Sequence, residues 1–449
     1  MIPLQVLQAA LPQGQWQGAP PPALGDASID ARRIGEQGLF VALPGRNADG
    51  HSFLAQAREN GAAAALVTRY IEDPLPQYRV ADAQAALQDL ATAWRAQWHG
   101  TLLALTGSNG KTTVKEMLAA ILEGVAPACV TRGNYNNHLG VPLTLTRLRH
   151  QHRYAVIEMG ANHAGEIASY VRWARPDVGL ITLAAAAHLE GFGSIEGVAH
   201  AKGELFTALG AADCAVINAE DRYATLWQQM AAPARQLLFG AGGDVEAAEV
   251  EAGAEGSRFT LCLDGQRRPL TLGVAGPHNV HNALAAAAGA HALGVDIEAI
   301  VDGLQRFRPV SGRLAAQTLP GGLRLIDDSY NANPGSVAAA IGVLAAQPGP
   351  RLLCLGDMAE LGGEVEAHHA AVGRQAQAAG IEALWSCGTH ARAASAAFGP
   401  NGRHYDSLAE LNAALRAQAA GFGAILVKGS RSAGMDAAVA ALQQDTPDA

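Results

Sequence analysis

A short apolar run at residues 102–105 empties into Thr106-Gly107-Ser108-Asn109-Gly110-Lys111-Thr112-Thr113, and a helical pattern over 111–123 follows, closed by Gly124. A strand feeding a glycine turn that opens a helix constrains the chain more than any other feature. It begins a strand–helix–strand unit and so commits this region to a mainly parallel sheet. The N–H groups of such a turn, with the helix N-terminus behind them, cradle phosphate. Lys111 is placed to reach the β- and γ-phosphates of a nucleotide, and Thr112 to ligate Mg²⁺. The spacing is GxxGKT, because Leu105 stands where the first glycine of the longer phosphate-loop pattern belongs.

The alternation continues with strands predicted at 154–157 and 178–184 and an alanine-rich helix at 283–293. The glycine-rich stretch 240–275 reads as a β-rich insert or edge. Upstream, residues 1–25 read as irregular, ending in Ala19-Pro20-Pro21-Pro22. A small unit follows, with strands at 38–43 and 63–68 and helices at 53–60 and 83–98. A boundary falls near Phe307-Arg308-Pro309. Beyond it, strands at 323–326, 352–355, 383–386 and 425–427 run into Asp327-Asp328, Asp357, Cys387 and Lys428. Open α/β sheets bind ligands at the carboxyl ends of their strands, which makes Asp328, Asp357 and Lys428 candidates for one crevice. The expectation is an α/β chain of three domains: 1–98, 99–309 with a phosphate-loop sheet, and 310–449 with a Rossmann-like sheet. The length of 449 residues agrees with three domains, at about 150 residues each.

Glu158 ends the predicted strand at 154–157 and puts a carboxylate, a hard ligand suited to Mg²⁺, on the sheet edge beside the phosphate loop. His188 follows the next strand. Lys202 sits on a helix that Ser194 caps. Lysine occurs only at 111, 115, 202 and 428, although Lys plus Arg is 32. Arginine therefore does almost all ordinary cationic work, and a retained lysine signals a need for a compact ammonium or a modifiable amine.

The five cysteines lie far apart with no CxxC pair, so neither a zinc site nor a disulfide framework is expected. A net charge of −9 argues against nucleic acid or a membrane surface as partner. No uncharged apolar run reaches the length of a membrane span. With its first basic residue at Arg32, the chain shows no signal-peptide pattern. A cytoplasmic protein, acting as a monomer, is the expectation.

Taken in order, the strings Gly38-Leu39-Phe40-Val41-Ala42 with Asp49-Gly50-His51, the phosphate loop, Gly133-Asn134-Tyr135-Asn136-Asn137, Glu158-Met159-Gly160, His188-Leu189-Glu190-Gly191, His278-Asn279-Val280-His281-Asn282, Asp328-Ser329-Tyr330-Asn331-Ala332-Asn333-Pro334, Gly356-Asp357-Met358-Ala359-Glu360-Leu361-Gly362 and Lys428-Gly429-Ser430-Arg431 resemble the Mur ligases, ATP-dependent amino-acid ligases of peptidoglycan synthesis. Within that family the chain is similar to the branch joining D-alanyl-D-alanine to UDP-N-acetylmuramoyl-tripeptide.

The resemblance implies that the first domain holds the uridine nucleotide of the substrate, with Asp30 and Arg32 in contact. It implies that residues 107–113 (Gly107, Ser108, Asn109, Gly110, Lys111, Thr112 and Thr113) hold ATP, and that Asn279 and Asn282 contact its adenine side. Arg313 and Asp328 would complete the nucleotide site from the third domain. Thr112, Glu158, His188 and a carbamylated Lys202 would serve two Mg²⁺ ions, with Lys111, Glu158, His188 and Lys202 as the catalytic set. Asn136 and Asn137 would meet the muramyl peptide, and Asn331 and Asn333 the incoming dipeptide.

Two departures stand out. The family's Asp-Ser/Thr-Arg is here Asp30-Ala31-Arg32, and Leu183 stands where Asn is frequent. Three other readings compete. A diamino-acid ligase would carry Asp-Asn-Pro-Arg, where this chain has Asn333-Pro334-Gly335. A folylpolyglutamate synthase would lack the unit at 28–68. A phosphate-loop phosphotransferase or nucleotide-gated binding module would have no use for the strand-end set in the third domain.

Overall fold

The computed structural model describes residues 1–45, 48–186 and 189–444. The chain is α/β, built on a five-stranded, a nine-stranded and a six-stranded sheet with a small two-stranded ribbon. The nine-stranded sheet runs, edge to edge, Gln266–Leu272, Ser257–Leu263, Val245–Ala252, Arg235–Phe239, Cys214–Asn218, Val178–Ile181, Thr101–Thr106, Tyr154–Glu158, Ala128–Val130. All neighbours are parallel except the last three strands along the chain, which pair antiparallel and supply the β-rich segment expected at 240–275.

Thr101–Thr106 lies near the middle, with both faces covered. Leu102 and Ala104 pack into one core cluster, Leu103 and Leu105 into the other. Burial on both sides is why this strand reads as a continuous apolar run rather than an alternating one. Its neighbours are in register at their carboxyl ends, with Glu158 opposite Leu105 and Ile181 opposite Thr106. The phosphate loop, Glu158 and the segment after Ile181 therefore leave the sheet side by side.

The helix Lys111–Glu123 covers one face together with Pro277–Ala292 and Ile297–Arg306. On the opposite face the core runs without a break into the N-terminal unit, through Leu87, Leu90 and Trp94 of the helix Ala83–Ala96. Trp94 Nε1 donates to Leu148 O at 3.0 Å, and Arg95 Nε donates to Ala174 O at 2.7 Å.

The six-stranded sheet has the order Ala315–Thr318, Arg324–Asp328, Ala424–Lys428, Arg351–Gly356, Ala383–Cys387, Gly402–Tyr405, parallel apart from its first strand. Asp328 and Lys428 face each other across two adjacent strands.

Three sequence expectations change. Residues 1–25 are not irregular: they hold the helix Leu4–Ala10 and three short strands. That helix has no side-chain cap and is too short to form alone. It is held by burial of Val6 and Leu7, at about 1.5–3 kcal/mol per large side chain, which no local pattern reveals. The strand expected at 178–184 ends at Ile181, because the chain beyond turns onto the phosphate loop: Leu183 O accepts from Ser108 N at 2.9 Å, and Ala184 N donates to Asp221 Oδ2 at 2.8 Å. The helix expected at 283–293 begins six residues earlier, at Pro277, where proline's missing N–H costs nothing in the first turn.

Gly303 lets the helix Ile297–Arg306 lie directly on the phosphate-loop helix. A Cβ there would stand 2.3 Å from Ile121 Cα. Alanine would favour the helix by about 1 kcal/mol, but forcing a methyl into packed backbone costs about 1–3 kcal/mol. Gly303→Ala is expected to lower the urea midpoint, and a midpoint at or above that of the parent would show that the two helices can move apart freely.

Candidate active site

The phosphate loop is locked by contacts that only glycine permits. Gly110 has φ +81°, and a Cβ there would meet Asn282 Oδ1 at 2.3 Å; one at Gly107 would meet Thr182 Oγ1 at 1.8 Å. Thr182 Oγ1 donates to Asn109 O at 2.6 Å. Ser108 Oγ accepts from Ala185 N at 2.9 Å and donates to Ala185 O at 3.1 Å. Lys111 Nζ donates back to Gly107 O at 2.6 Å. Burial holds the Lys111 ammonium below its usual pKa, helped by Arg313 and opposed by Glu158. Thr112 and Thr113 open the helix and face the same cavity.

Glu158 is 1% exposed. Thr112 Oγ1 lies 3.2 and 3.0 Å from its two oxygens, and Asn136 Nδ2 donates to Oε1 at 2.8 Å. The Glu158 N–H donates to Thr131 Oγ1 at 3.0 Å. Among the described residues, every hydrogen-bond partner of this carboxylate is neutral. A buried carboxylate held by neutral donors is costly unless a cation joins it, so the donor set fits Mg²⁺. Asn137 spends its Oδ1 on the N–H groups of Leu139 and Gly140 at the start of a helix.

His188 lies outside the described residues. Lys202 is 1% exposed, with Nζ 5.8 Å from the Phe192 ring centroid. Burial, reinforced by Lys111, pushes its pKa well below the usual lysine value. Lys202 does not line the cavity, and no cluster of three or more His, Cys, Asp or Glu suited to a metal occurs among the described residues.

The third domain closes the opposite wall. A cavity of about 760 Å³ is lined from one side by the loop, Asn136, Asn137 and Glu158, and from the other by Arg313, Asp328, Asn331, Asn333 and Lys428. Lys428 pairs with Asp328 at 2.5 Å and donates to Asn331 O at 3.0 Å. Burial raises the Asp328 pKa, against the pull of Lys428. The Arg313 guanidinium stacks 4.4 Å from the Tyr330 ring centroid. Asn333 caps the helix Pro334–Ala345, and its Nδ2 also donates to Asn109 Oδ1 at 2.7 Å, joining the third domain directly to the phosphate loop. Asn279 and Asn282 are buried and linked, Asn282 Nδ2 donating to Asn279 Oδ1 at 3.1 Å.

Asp357 is not in this crevice. Its Oδ1 accepts from the N–H groups of His390 and Ala391 at 2.9 and 2.7 Å, which turns it toward the 388–391 loop. Asp30 and Arg32 lie away from the cavity and form a two-pronged ion pair at 2.9 and 3.0 Å. Sequence reading gave no role to His138, Asn162, His163, Glu166, Tyr170, His278 or Tyr330, all of which line the cavity. His278 and Tyr330 sat inside quoted motifs. Glu166 and Tyr170 carried no signal, since only the packing of the helix Glu166–Ala174 brings them to the cavity.

The three parts of the chain match three family models in order: "Mur ligase family, catalytic domain" over 27–95, "Mur ligase middle domain" over 105–290, and "Mur ligase, glutamate ligase domain" over 312–431. The chain belongs to the Mur ligase family. Among Mur ligases it is 44% identical to UDP-N-acetylmuramoyl-tripeptide–D-alanyl-D-alanine ligase of Escherichia coli K12, covering 96% of each chain. It is 40% identical to the protein of that name from Haemophilus influenzae, over 86% of this chain and 84% of that one. A crystal structure of MurF from Acinetobacter baumannii superposes with a TM-score of 0.90 at 37% identity, over 99% of both chains.

Burial, with Lys428 adding repulsion, depresses the His278 pKa from 6.5 to about 4. Between those values the unfolded chain binds a proton that the folded chain refuses, so stability falls as pH drops through that window. Lowering pH from 7 to 4.5 is expected to cost the parent about 2 kcal/mol more than His278→Gln. Denaturant unfolding of both proteins at the two pH values measures the difference, and equal losses would contradict a neutral His278.

Proposed function

We propose that this Mur ligase joins D-alanyl-D-alanine to UDP-N-acetylmuramoyl-tripeptide with hydrolysis of ATP to ADP and phosphate. The observation that carries the reading is the single cavity in which Lys111, Thr112 and Glu158 of the phosphate-loop sheet face Arg313, Asp328, Asn331 and Asn333 of the third domain. The near full-length likeness to enzymes of that name supports it. We take the domains as 1–98 for the uridine nucleotide, with Asp30 and Arg32 in contact, 99–309 for ATP, and 310–449 for the dipeptide and part of the nucleotide. The substrates are soluble small molecules and one chain completes the cavity, so we take the enzyme to act as a cytoplasmic monomer; no described helix is long and apolar enough to cross a membrane.

A free carboxylate is a poor acyl donor because its leaving group would be oxide. Transfer of the γ-phosphoryl group onto the tripeptide carboxylate gives an acyl phosphate, which the dipeptide amine then attacks, releasing phosphate as the amide forms. The first step brings two anions together. Lys111 offsets their repulsion from the phosphate side, and Arg313 from the facing wall. Thr112 and Glu158, with His188 and Lys202, would hold Mg²⁺, which supplies further charge neutralisation when bound. Asn279 and Asn282 stand at the adenine side, Asn136 and Asn137 at the muramyl peptide, Asn331 and Asn333 at the dipeptide. Enclosure between two domains keeps water from the acyl phosphate.

Phosphate release from ATP is expected to need Mg²⁺ and both other substrates, with D-Ala-D-Ala used far better than L-Lys or meso-diaminopimelate. Formation of AMP would replace acyl-phosphate chemistry with adenylation, and preference for a diamino acid would move the chain to another branch of the family.

A neutral amine at Lys202 is what its depressed pKa favours. It can add CO₂ to give a carbamate, an anionic oxygen ligand for Mg²⁺. Arginine cannot. Lys202→Arg and Lys202→Ala are both expected to be crippled, with acetate restoring part of the Lys202→Ala activity. Full activity in Lys202→Arg would end the carbamate assignment.

A further inference from the structure

Three of the four lysines are absorbed by the readings above: Lys111 and Lys428 line the cavity and Lys202 is the modifiable amine. Lys115 is not, although its side chain is 0% exposed. One helical turn beyond Lys111, it does not line the cavity. Its ammonium pairs with Glu116 Oε1 at 2.8 Å and donates to Gly133 O at 3.2 Å. A charge so deeply placed is costly unless its partners are well made, and an ordinary packing position in this chain would be apolar.

The partner at Gly133 gives the placement its meaning. Gly133 opens the Asn134-Tyr135-Asn136-Asn137 segment, where Asn136 reaches Glu158 Oε1 at 2.8 Å and Asn136 O accepts from Gly160 N at 2.8 Å. Just before it, Thr131 Oγ1 accepts the Glu158 N–H. The 131–137 stretch thus holds Glu158 at its N–H and at its carboxylate, while Thr112, three residues before Lys115 on the same helix, contacts the carboxylate as well. Lys115 ties that segment to the helix that carries Lys111 and Thr112.

We propose that Lys115 is a positioning residue whose ammonium anchors the 133–137 segment so that Asn136 holds the Glu158 carboxylate in line with Thr112. The Lys115 side chain is itself fully enclosed, and a compact ammonium fits there where a planar guanidinium would need more room. This rests on reading Glu158 as a Mg²⁺ ligand, and the tests below use neither peptide substrate, so they stand or fall apart from the choice of acceptor.

Lys115→Met keeps the apolar stem and removes the ammonium. Removing one member of a buried pair leaves Glu116 and the Gly133 carbonyl without their donor, which is destabilising, so the melting temperature is expected to fall together with ADP binding. Amide hydrogen exchange at residues 133–137 of the metal-free protein is expected to quicken. Mg²⁺-dependent ADP binding, read by titration calorimetry, is expected to weaken by about tenfold, the scale for losing a group that orients a metal ligand. Asn136→Ala is expected to weaken it comparably, and the double variant to be little worse than either single one, because both act through the same contact. Glu116→Gln, at a position 30% exposed, gives a smaller loss in the same direction and serves if Lys115→Met does not fold. Unchanged exchange at 133–137, unchanged Mg²⁺-dependent binding, or fully additive losses in the double variant would each overturn the proposal. A drop in melting temperature with binding intact would reduce Lys115 to a packing residue.

Discussion

The fold is organised around a carboxylate that must be buried and yet not neutralised by its own chain. Glu158 reaches the carboxyl edge of the central sheet because Tyr154–Glu158 pairs in register with the phosphate-loop strand. That register is held by side chains buried on both faces, and a one-residue slip would turn every one of them to the wrong side. The position of Glu158 relative to the loop is therefore fixed by the core and not by the loop. Thr112 and Asn136 then orient the carboxylate as neutral donors while Thr131 accepts from the Glu158 N–H, leaving the charge available for a cation.

The third domain meets this edge through polar contacts of a different kind. Asn109 and Asn333 offer each other a donor and an acceptor, and Asn333 also caps its own helix. The amide pair places that helix N-terminus against the phosphate loop without a charge of either sign. Deeper in, Asp328 and Lys428 neutralise each other in register across adjacent strands, leaving Arg313, stacked on Tyr330, to face the loop as a cation.

Much of this was legible in the sequence for a physical reason. A strand, a glycine turn and a helix N-terminus are contiguous, so Gly107 to Thr113 announce themselves, and Glu158 follows from an apolar strand that ends in a carboxylate. What stayed hidden depends on neighbours distant in the chain. Glu166 and Tyr170 reach the cavity only because their helix packs beside the central strands. Asp357 looked like Asp328 because both end parallel strands; the turn at 388–391 takes its carboxylate and removes it from the crevice. The helix Leu4–Ala10 was invisible because tertiary burial, not propensity, makes it.

The scarcity of lysine has an outcome for how this protein can be observed. Arginine serves the surface, while Lys115, Lys202 and Lys428 are all nearly or fully buried and Lys111 sits in the loop itself. Besides the terminal amine, an acylating or cross-linking reagent selective for primary amines meets no lysine that lies far from the cavity. Its rate of reaction with Lys115, Lys202 and Lys428 measures how often the buried interior around the cavity opens to solvent. In most proteins such labelling maps the outer surface; here the same chemistry is a clock for the centre.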